Sequence, residues 1–141
     1  MIEYKTLLQE QDWLLLVDLY DETDMFLGHG KRRDLAKIRR AYENSYRYVT
    51  GWQDGRIVGA GRMISDGECY AWIHDVAVLP AYRKQGIGRM LIETLREGNE
   101  ALLTGLTSSF EAVNFYRSLG FKKHKTAMAR YPGRSDYLIA D

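Results

Sequence analysis

The residues most suggestive of chemistry form a short basic loop between an apolar run and an amphipathic segment. The loop, residues 83–88 with sequence RKQGIG, follows an apolar stretch that ends at Pro80 and leads into a predicted helix. Backbone N–H groups at a helix N-terminus lack partners inside the helix and lie at the positive end of its dipole. Glycines let an anion approach the main chain, and Arg83, Lys84 and Arg89 add positive charge. The pattern favours a phosphate or pyrophosphate site, although glycine-containing turns between a strand and a helix also serve structure alone.

The elements that must position this loop alternate as in an α/β domain. Alternating polarity over residues 2–8 predicts a first strand, and two helices follow it. Turn signals at residues 54–55 and 66–67 separate three strands, the last of which is the apolar run 69–78. After the loop come a helix, a short buried strand at 102–106, a helix that ends at Gly120, and extended chain. The order is therefore β-α-α-β-β-β-α-β-α-β. The predicted helix faces are Trp13, Leu16, Val17 and Tyr20 after an Asp12 N-cap, then Leu35, Ile38, Tyr42 and Ser45, then Ile87, Met90, Leu91 and Leu95, then Ala112, Phe115, Tyr116 and Leu119.

Composition narrows the classes of protein that fit this pattern. The chain has 141 residues, a formal net charge of +1 and a single cysteine. This length can bury one core, and near-neutrality disfavours a protein that binds nucleic acid or anionic lipid through a basic surface. Because Cys69 has no second cysteine to pair with, a reducing cytoplasm is the simplest location. The N-terminus lacks the features of a signal peptide, and no apolar run approaches the roughly 18 residues that span a bilayer. We expect one cytoplasmic domain over residues 1–141.

Two motifs in the right order resemble the GNAT superfamily of acetyl-CoA-dependent N-acetyltransferases. The run VAVLPAYRKQGIGRMLIETL is similar to the family's acetyl-CoA motif, [RQ]xxGx[GA] after a strand, which Arg83, Gly86 and Gly88 fill. The run EAVNFYRSLGFKK, residues 111–123, is similar to the family's later helix, A-x-x-x-Y-x-x-x-GF. The resemblance implies the GNAT fold, with a mixed central sheet of about six to seven strands and four helices.

The resemblance also implies where acetyl-CoA lies. In similar proteins the strand before the loop diverges from its parallel neighbour, and its main chain pairs with pantetheine as another strand does. The Val76 amide then polarises the thioester carbonyl. Where the family often has an asparagine that contacts pantetheine, this chain has Ser109, whose hydroxyl has a shorter reach. No metal is implied. The acetyl-CoA site expected from the resemblance comprises Val76, Ala77, Val78, Arg83, Lys84, Gln85, Gly86, Ile87, Gly88, Arg89 and Ser109.

Two side chains are candidates for the proton transfers in acetyl transfer. Tyr116, at the tyrosine position of the second motif, keeps its proton at neutral pH because an ordinary phenol has a pKa of about 10, and it can donate that proton to the departing thiolate. His74, with an ordinary pKa of about 6.5, is the candidate base. Strand alternation places His74 on the same face as Val76 and places Asp75 on the other. The structural alternatives are a core tyrosine and a buried histidine bonded to the backbone.

The acceptor is less defined than the cofactor. The leading hypothesis is direct acetyl transfer to a small primary amine in a ternary complex. The alternatives are a protein lysine or N-terminus as acceptor, and a non-catalytic acyl-CoA-binding regulatory module. Acidic residues around Tyr20 fit either a cationic amine or a solvated helix end, and the basic segment 31–40 fits an exposed helix face or an acidic partner. No membrane or nucleic-acid partner is expected, and a homodimer remains open.

Overall fold

The computed structural model describes residues 1–28 and 34–140, so part of the basic segment 31–40 lies outside the described residues. Three short 3-10 turns lead into α1, into the basic loop and into α4, at Glu10–Asp12, Pro80–Tyr82 and Phe110–Ala112. The strands and helices in chain order are β1 (Glu3–Lys5), α1 (Trp13–Glu22), α2 (Leu35–Glu43), β2 (Arg47–Gln53), β3 (Arg56–Ser65), β4 (Tyr70–Val78), α3 (Ile87–Arg96), β5 (Leu103–Leu106) and α4 (Val113–Ser118).

The strands form one mixed sheet in the order β1-β2-β3-β4-β5. The first four make an antiparallel meander, and α3 provides the crossover that makes β5 parallel to β4. The α/β class and the four helices are confirmed. The expected six to seven strands are wrong, because the sheet has five strands across residues 1–28 and 34–140, and residues 121–140 contain none. That segment is rich in lysine and arginine, and it lacks the alternation that a strand buried on one face requires.

The two faces of the sheet carry different helices. A Cβ added at Gly61 on β3 would approach Leu95 of α3 to 3.5 Å, so the Gly61 face is the one that α3 covers. The next residue, Arg62, points to the opposite face, where its guanidinium donates to the Ala41 carbonyl of α2 at 3.2 Å. The core therefore lies in two layers, one between the sheet and α1 with α2, the other between the sheet and α3. The most completely buried large side chains include Tyr20, Tyr42, Leu16, Leu19, Ile38, Met63, Ile73, Ile87, Leu91, Ile92 and Leu95.

Several local predictions need correction. The first strand is shorter than residues 2–8, because only β1 pairs with β2. Asp12 stands at the N-cap position of α1, but its carboxylate accepts from the Gln9 amide at 2.8 Å and not from a helix amide. Met90 is 42% exposed although it was predicted on the buried face of α3. Tyr20 is fully buried, so it belongs to the core and cannot line an exposed acceptor surface.

Candidate active site

The candidate site begins where strands β4 and β5 stop pairing. The parallel register runs from Tyr70 opposite Leu103 to Ile73 opposite Leu106 and ends there. Strand β4 continues to Val78 and stays paired with β3 up to Gly59, whereas β5 ends at Leu106. The last five residues of β4 therefore have a strand neighbour on one side only, within the described residues. A chain in extended conformation can pair with the free main-chain groups on the other side.

The hydrogen-bonding pattern shows which main-chain groups face that opening. The Leu79 amide donates to the Val58 carbonyl of β3 at 2.9 Å. In an antiparallel ladder, successive residues direct their main-chain groups to opposite sides, so the N–H and C=O of Val78 point away from β3. The Val78 carbonyl accepts from the Arg83 Nε at 3.1 Å, which ties the start of the basic loop to the strand edge. Val76 lies two residues earlier and has the same orientation as Val78 relative to β3.

A β-bulge interrupts β4 just before Val76. The register with β3 shifts between Ala60 and Arg62, so that Asp75 and Val76 both stand opposite Gly61. Asp75 has a φ of 59°, a left-handed conformation that is uncommon outside glycine. Because of this extra residue, His74 pairs with Arg62 and shares its face, whereas a Cβ at Gly61 would meet Val76 Cγ2 at 3.1 Å. The prediction that His74 and Val76 share a face is wrong.

The carboxylate of Asp75 also lies on a different face of the sheet from the one that strict strand alternation predicts. It accepts from the Arg62 Nε at 2.7 Å, so it lies on the same face as Arg62 and His74. The three polar side chains therefore converge on the face covered by α1 and α2. Strict alternation would have separated His74 from Asp75, and the bulge removes that separation.

The loop after β4 has the geometry expected of an anion cradle. Lys84 and Gly86 have φ values of 62° and 83°, and Gly86 is the N-cap of α3. The first helix bond joins the Met90 N–H to the Gly86 carbonyl, so the amides of residues 87–89 have no helix carbonyl to bind. Left-handed residues next to a helix start turn successive N–H groups into one concave surface that suits an anion. The basic side chains of this loop are exposed, and the Arg89 guanidinium lies 3.6 Å from the Glu93 carboxylate.

Helix α4 packs against the start of α3 through an aromatic contact. A Cβ at Gly88 would lie 2.9 Å from Cζ of Phe115, so this glycine lets the two helices meet closely. The next residue, Tyr116, is partly buried between aromatic rings, with its centroid 5.0 Å from that of Phe115 and 5.9 Å from that of Phe121. The two motifs of the sequence therefore meet in space, because α4 follows β5 and contacts the loop that follows β4.

Tyr116 is kept in its neutral form. Burial raises the pKa of its phenol to about 12, because the charged phenolate is poorly solvated among these side chains. In the described part of the chain, no other group hydrogen-bonds the hydroxyl of Tyr116. The hydroxyl is thus a protonated donor that is available to a bound molecule across the physiological pH range.

His74 is kept neutral for a related reason. Burial lowers the pKa of its half-buried imidazole below the ordinary value, and the neighbouring Arg62 cation lowers it further, while the Asp75 carboxylate opposes both effects. The imidazole is therefore unprotonated at neutral pH and able to accept a proton. It lies on the α1 and α2 face of β4, as described above, and its role as a base remains a prediction.

A polar network behind the bulge was missed at the level of sequence. The Tyr20 hydroxyl donates to the Asp75 carbonyl at 2.6 Å and also hydrogen-bonds the hydroxyl of Tyr42. The Arg62 and Asp75 side chains are only 13% and 11% exposed, so their ion pair is largely removed from solvent. Removal of one partner of such a pair typically costs about 3–5 kcal/mol. A signal was present, since Arg62 and Asp75 are charged residues inside apolar strand patterns.

The pantetheine contact expected for Ser109 remains a prediction. Ser109 is exposed at the start of the 3-10 turn before α4, where its carbonyl accepts from the Ala112 amide at 3.2 Å. Asn114, on the following helix α4, is exposed as well. The residues that the structure describes contain no group of three or more His, Cys, Asp or Glu side chains arranged to hold a metal. Across residues 1–28 and 34–140, no helix has the length and apolar character needed to cross a membrane.

Comparisons with known proteins agree with this architecture. Two soybean (Glycine max) proteins are each 35% identical over 75% of this chain: probable acetyltransferase TAP2, of which the match covers 48%, and histone acetyltransferase TAP1, of which it covers 52%. The chain thus spans about half the length of these curated relatives. A probable acetyltransferase from Staphylococcus aureus has the same fold, with a TM-score of 0.77 over 95% of this chain and 100% of its own, at 22% identity.

The match to a known domain covers the part of the molecule that the site occupies. Residues 44–123, from the end of α2 to the residues just after α4, match the acetyltransferase (GNAT) domain. They include the bulge in β4, the left-handed loop, the divergence of β4 from β5, and the contact between α3 and α4. With more than half of its residues in this match and the fold in agreement, the chain belongs to the GNAT acetyltransferase family.

Proposed function

We propose that this protein transfers the acetyl group of acetyl-CoA to a primary amine, directly and within a ternary complex. The observation that carries the proposal is the opening between β4 and β5, where the main-chain groups of Val76 and the N–H of Val78 point away from β3 next to the left-handed loop. Pantetheine has amides that can pair with such a strand edge, and its pyrophosphate fits the amides at the start of α3. The loop cations Arg83, Lys84 and Arg89 match its charge.

Three groups of the protein each have one role in the acetyl transfer. The Val76 N–H polarises the thioester carbonyl and stabilises the oxyanion that forms when the amine attacks. The Tyr116 hydroxyl donates its proton to the CoA sulfur as the carbon–sulfur bond breaks, which its raised pKa permits because the proton is retained until then. His74, neutral by virtue of its lowered pKa, takes the proton from the amine directly or through water.

The acceptor that we favour is a small amine, and a protein amine is the second candidate. The second candidate has one observation behind it, since a relative 35% identical over 75% of this chain is named a histone acetyltransferase. A cytoplasmic location accompanies the proposal as a prediction. A non-catalytic acyl-CoA-binding module is the remaining alternative, and it predicts cofactor binding without transfer.

The test is a release assay for CoA with acetyl-CoA as donor. The purified chain is given arylalkylamines, polyamines, amino sugars and amino acids in one arm, and histones with other basic proteins in a second. Saturable CoA release with a matching acetylated product supports the proposal, and the arm that responds identifies the acceptor class. Acetyl-CoA binding by calorimetry without transfer in either arm favours the regulatory module. The absence of binding rejects the proposal.

A further inference from the structure

The bulge in β4 is held from the α1 face by a tyrosine hydroxyl. The Tyr20 hydroxyl donates to the Asp75 carbonyl at 2.6 Å, although the two residues are 55 positions apart in the sequence. The same peptide unit carries the Asp75 carbonyl and the Val76 N–H, which point in opposite directions because the unit is planar and trans. A bond that fixes the carbonyl therefore also fixes the direction of the Val76 amide.

The donor and acceptor roles in this contact follow from counting protons. A tyrosine hydroxyl has one hydrogen, and that of Tyr20 goes to the carbonyl, since a carbonyl can only accept. The hydrogen between the two tyrosines is therefore donated by Tyr42 to the oxygen of Tyr20. Hydrogen bonds in such a chain polarise one another, so the bond to Asp75 is strengthened by the one behind it.

Burial and an ion pair keep these hydrogen bonds in place. Both tyrosine side chains are completely buried, and burial raises the pKa of each phenol, so both stay protonated at physiological pH. The Asp75 side chain is held as well, because Arg62 donates to it at 2.7 Å and is itself held by the Ala41 carbonyl at 3.2 Å. The left-handed Asp75 is thus restrained through both its main chain and its side chain, as expected where backbone strain is kept at a functional site.

We propose that Tyr20 is a positioning residue for acetyl transfer, whose hydroxyl holds the Asp75–Val76 peptide so that the Val76 N–H meets the thioester carbonyl. This inference rests on the function proposed above. Tyr20 itself is too deeply buried to touch acetyl-CoA, so its effect passes through the peptide. The oxyanion forms only as the amine attacks, so a misdirected amide lowers kcat and has little effect on acetyl-CoA affinity, which depends on the loop and Val78.

The test compares two substitutions that each remove one hydroxyl from the same buried pair. Tyr20→Phe removes the bond to the Asp75 carbonyl, whereas Tyr42→Phe leaves that bond in place. We expect a kcat about 10- to 100-fold lower in Tyr20→Phe and within about 3-fold of wild type in Tyr42→Phe. The acetyl-CoA dissociation constant should change less than about 3-fold in both, and the melting temperature should fall more in Tyr20→Phe, because that change leaves the Tyr42 hydroxyl buried without its acceptor.

A third variant covers the case in which Tyr20→Phe is too unstable to measure. The single change Tyr20→Phe leaves the Tyr42 hydroxyl buried without its acceptor. The third variant, the double substitution Tyr20→Phe/Tyr42→Phe, removes that cost because both partners become apolar. The double variant should therefore be more stable than Tyr20→Phe and have the same low kcat. Equal kcat values in Tyr42→Phe and the double variant would overturn the inference.

A second readout does not depend on activity. In 15N-labelled protein, the Val76 amide resonance should move in Tyr20→Phe and in the double variant, and much less in Tyr42→Phe. If wild-type protein shows neither acetyl-CoA binding nor transfer, the proposed function fails, and the resonance comparison still decides whether Tyr20 orients this peptide. An unmoved Val76 resonance in the double variant would show that Tyr20 does not position it.

Discussion

The two halves of strand β4 are continuous in the sequence, but they have opposite structural roles. From Ala71 to Ile73 the strand pairs with β3 on one side and β5 on the other, and Ala71 and Ile73 are buried. From residue 74 to residue 78 it pairs only with β3, and a bulge interrupts even that ladder. The first half anchors the strand in the sheet, and the second half leaves main-chain groups open along one edge.

The difference shows how one strand can be both support and binding surface. Backbone groups on an open strand edge are a liability unless a partner covers them. In the second half that edge adjoins the basic loop, because Arg83 donates to the Val78 carbonyl, and its bulge is held from behind by Tyr20 and Arg62. The opening therefore lies next to the loop cations, and α4, which carries the protonated Tyr116, packs through Phe115 against the start of the helix that follows the loop. Substitutions at the open half should therefore change acetyl transfer, whereas substitutions at the paired half should change stability.

The largest effect is expected from the Tyr116 phenol on α4. Tyr116→Phe removes the proposed acid and keeps the aromatic packing, so kcat should fall about 10²- to 10³-fold with acetyl-CoA affinity within about 3-fold of wild type. The measurement is steady-state kinetics with calorimetric binding. Because the pKa of Tyr116 is raised to about 12, wild-type kcat should show no basic limb from this group below about pH 11. A kcat equal to wild type in Tyr116→Phe would remove it as the acid.

The next effect concerns the loop at the end of the open half. Gly86→Val forces a β-branched side chain into a left-handed conformation at the helix N-cap, so the amides of residues 87–89 lose their common direction. We expect acetyl-CoA affinity to fall about 10-fold or more, measured by calorimetry. Gly98→Val is the matched control, since Gly98 also has a left-handed φ, of 76°, but lies after the far end of α3. Similar losses of affinity in both variants would contradict a specific role for the loop.

Sequence patterns predicted the frame of this site well. Turn signals and alternating polarity are local, so the bounds of β3 and β4 and the helix after the loop were found within about one residue. The left-handed stop at Gly120 was also correct, with a φ of 93°. The position of the loop between β4 and α3 was found because glycines and charges next to a helix start act through local geometry.

The bulge could not be predicted in the same way. Its left-handed Asp75 is stabilised by Tyr20 and Arg62, which are 55 and 13 positions away in the chain, and no local pattern encodes such contacts. One extra residue changes the face of every later side chain, which is why His74 was assigned to the wrong face relative to Val76. The strand count failed for a related reason, because it was carried over from the resemblance and the sequence after Phe121 has no strand pattern to support it.

The paired half of β4 should respond in stability and not in turnover. A Cβ at Gly105 on β5 would lie 2.0 Å from the Trp72 ring, so Gly105→Ala forces the ring to move. We expect a loss of about 1–3 kcal/mol in the free energy of unfolding, measured by denaturant titration, with kcat of the folded protein within about 3-fold of wild type. Truncation of the ring in Gly105→Ala/Trp72→Leu should cost less than the sum of the two single changes. A kcat loss as large as that in Tyr116→Phe would show that the halves are not separable.

The smallest effect is expected at His74, which stands at the boundary between the two halves. Burial lowers its pKa in the folded protein below the ordinary value of about 6.5, so the unfolded chain binds more protons between these two values. Its contribution to stability is therefore complete above about pH 6.5 and is lost as pH falls through the folded-state pKa.

If His74 is the base, the pH profile of kcat/KM should have an acid limb centred below about pH 6.5. The substitution His74→Gln should flatten that limb and lower the plateau several-fold. If the limb persists unchanged in His74→Gln while the loss of stability at acid pH disappears, His74 is structural and the amine loses its proton to water.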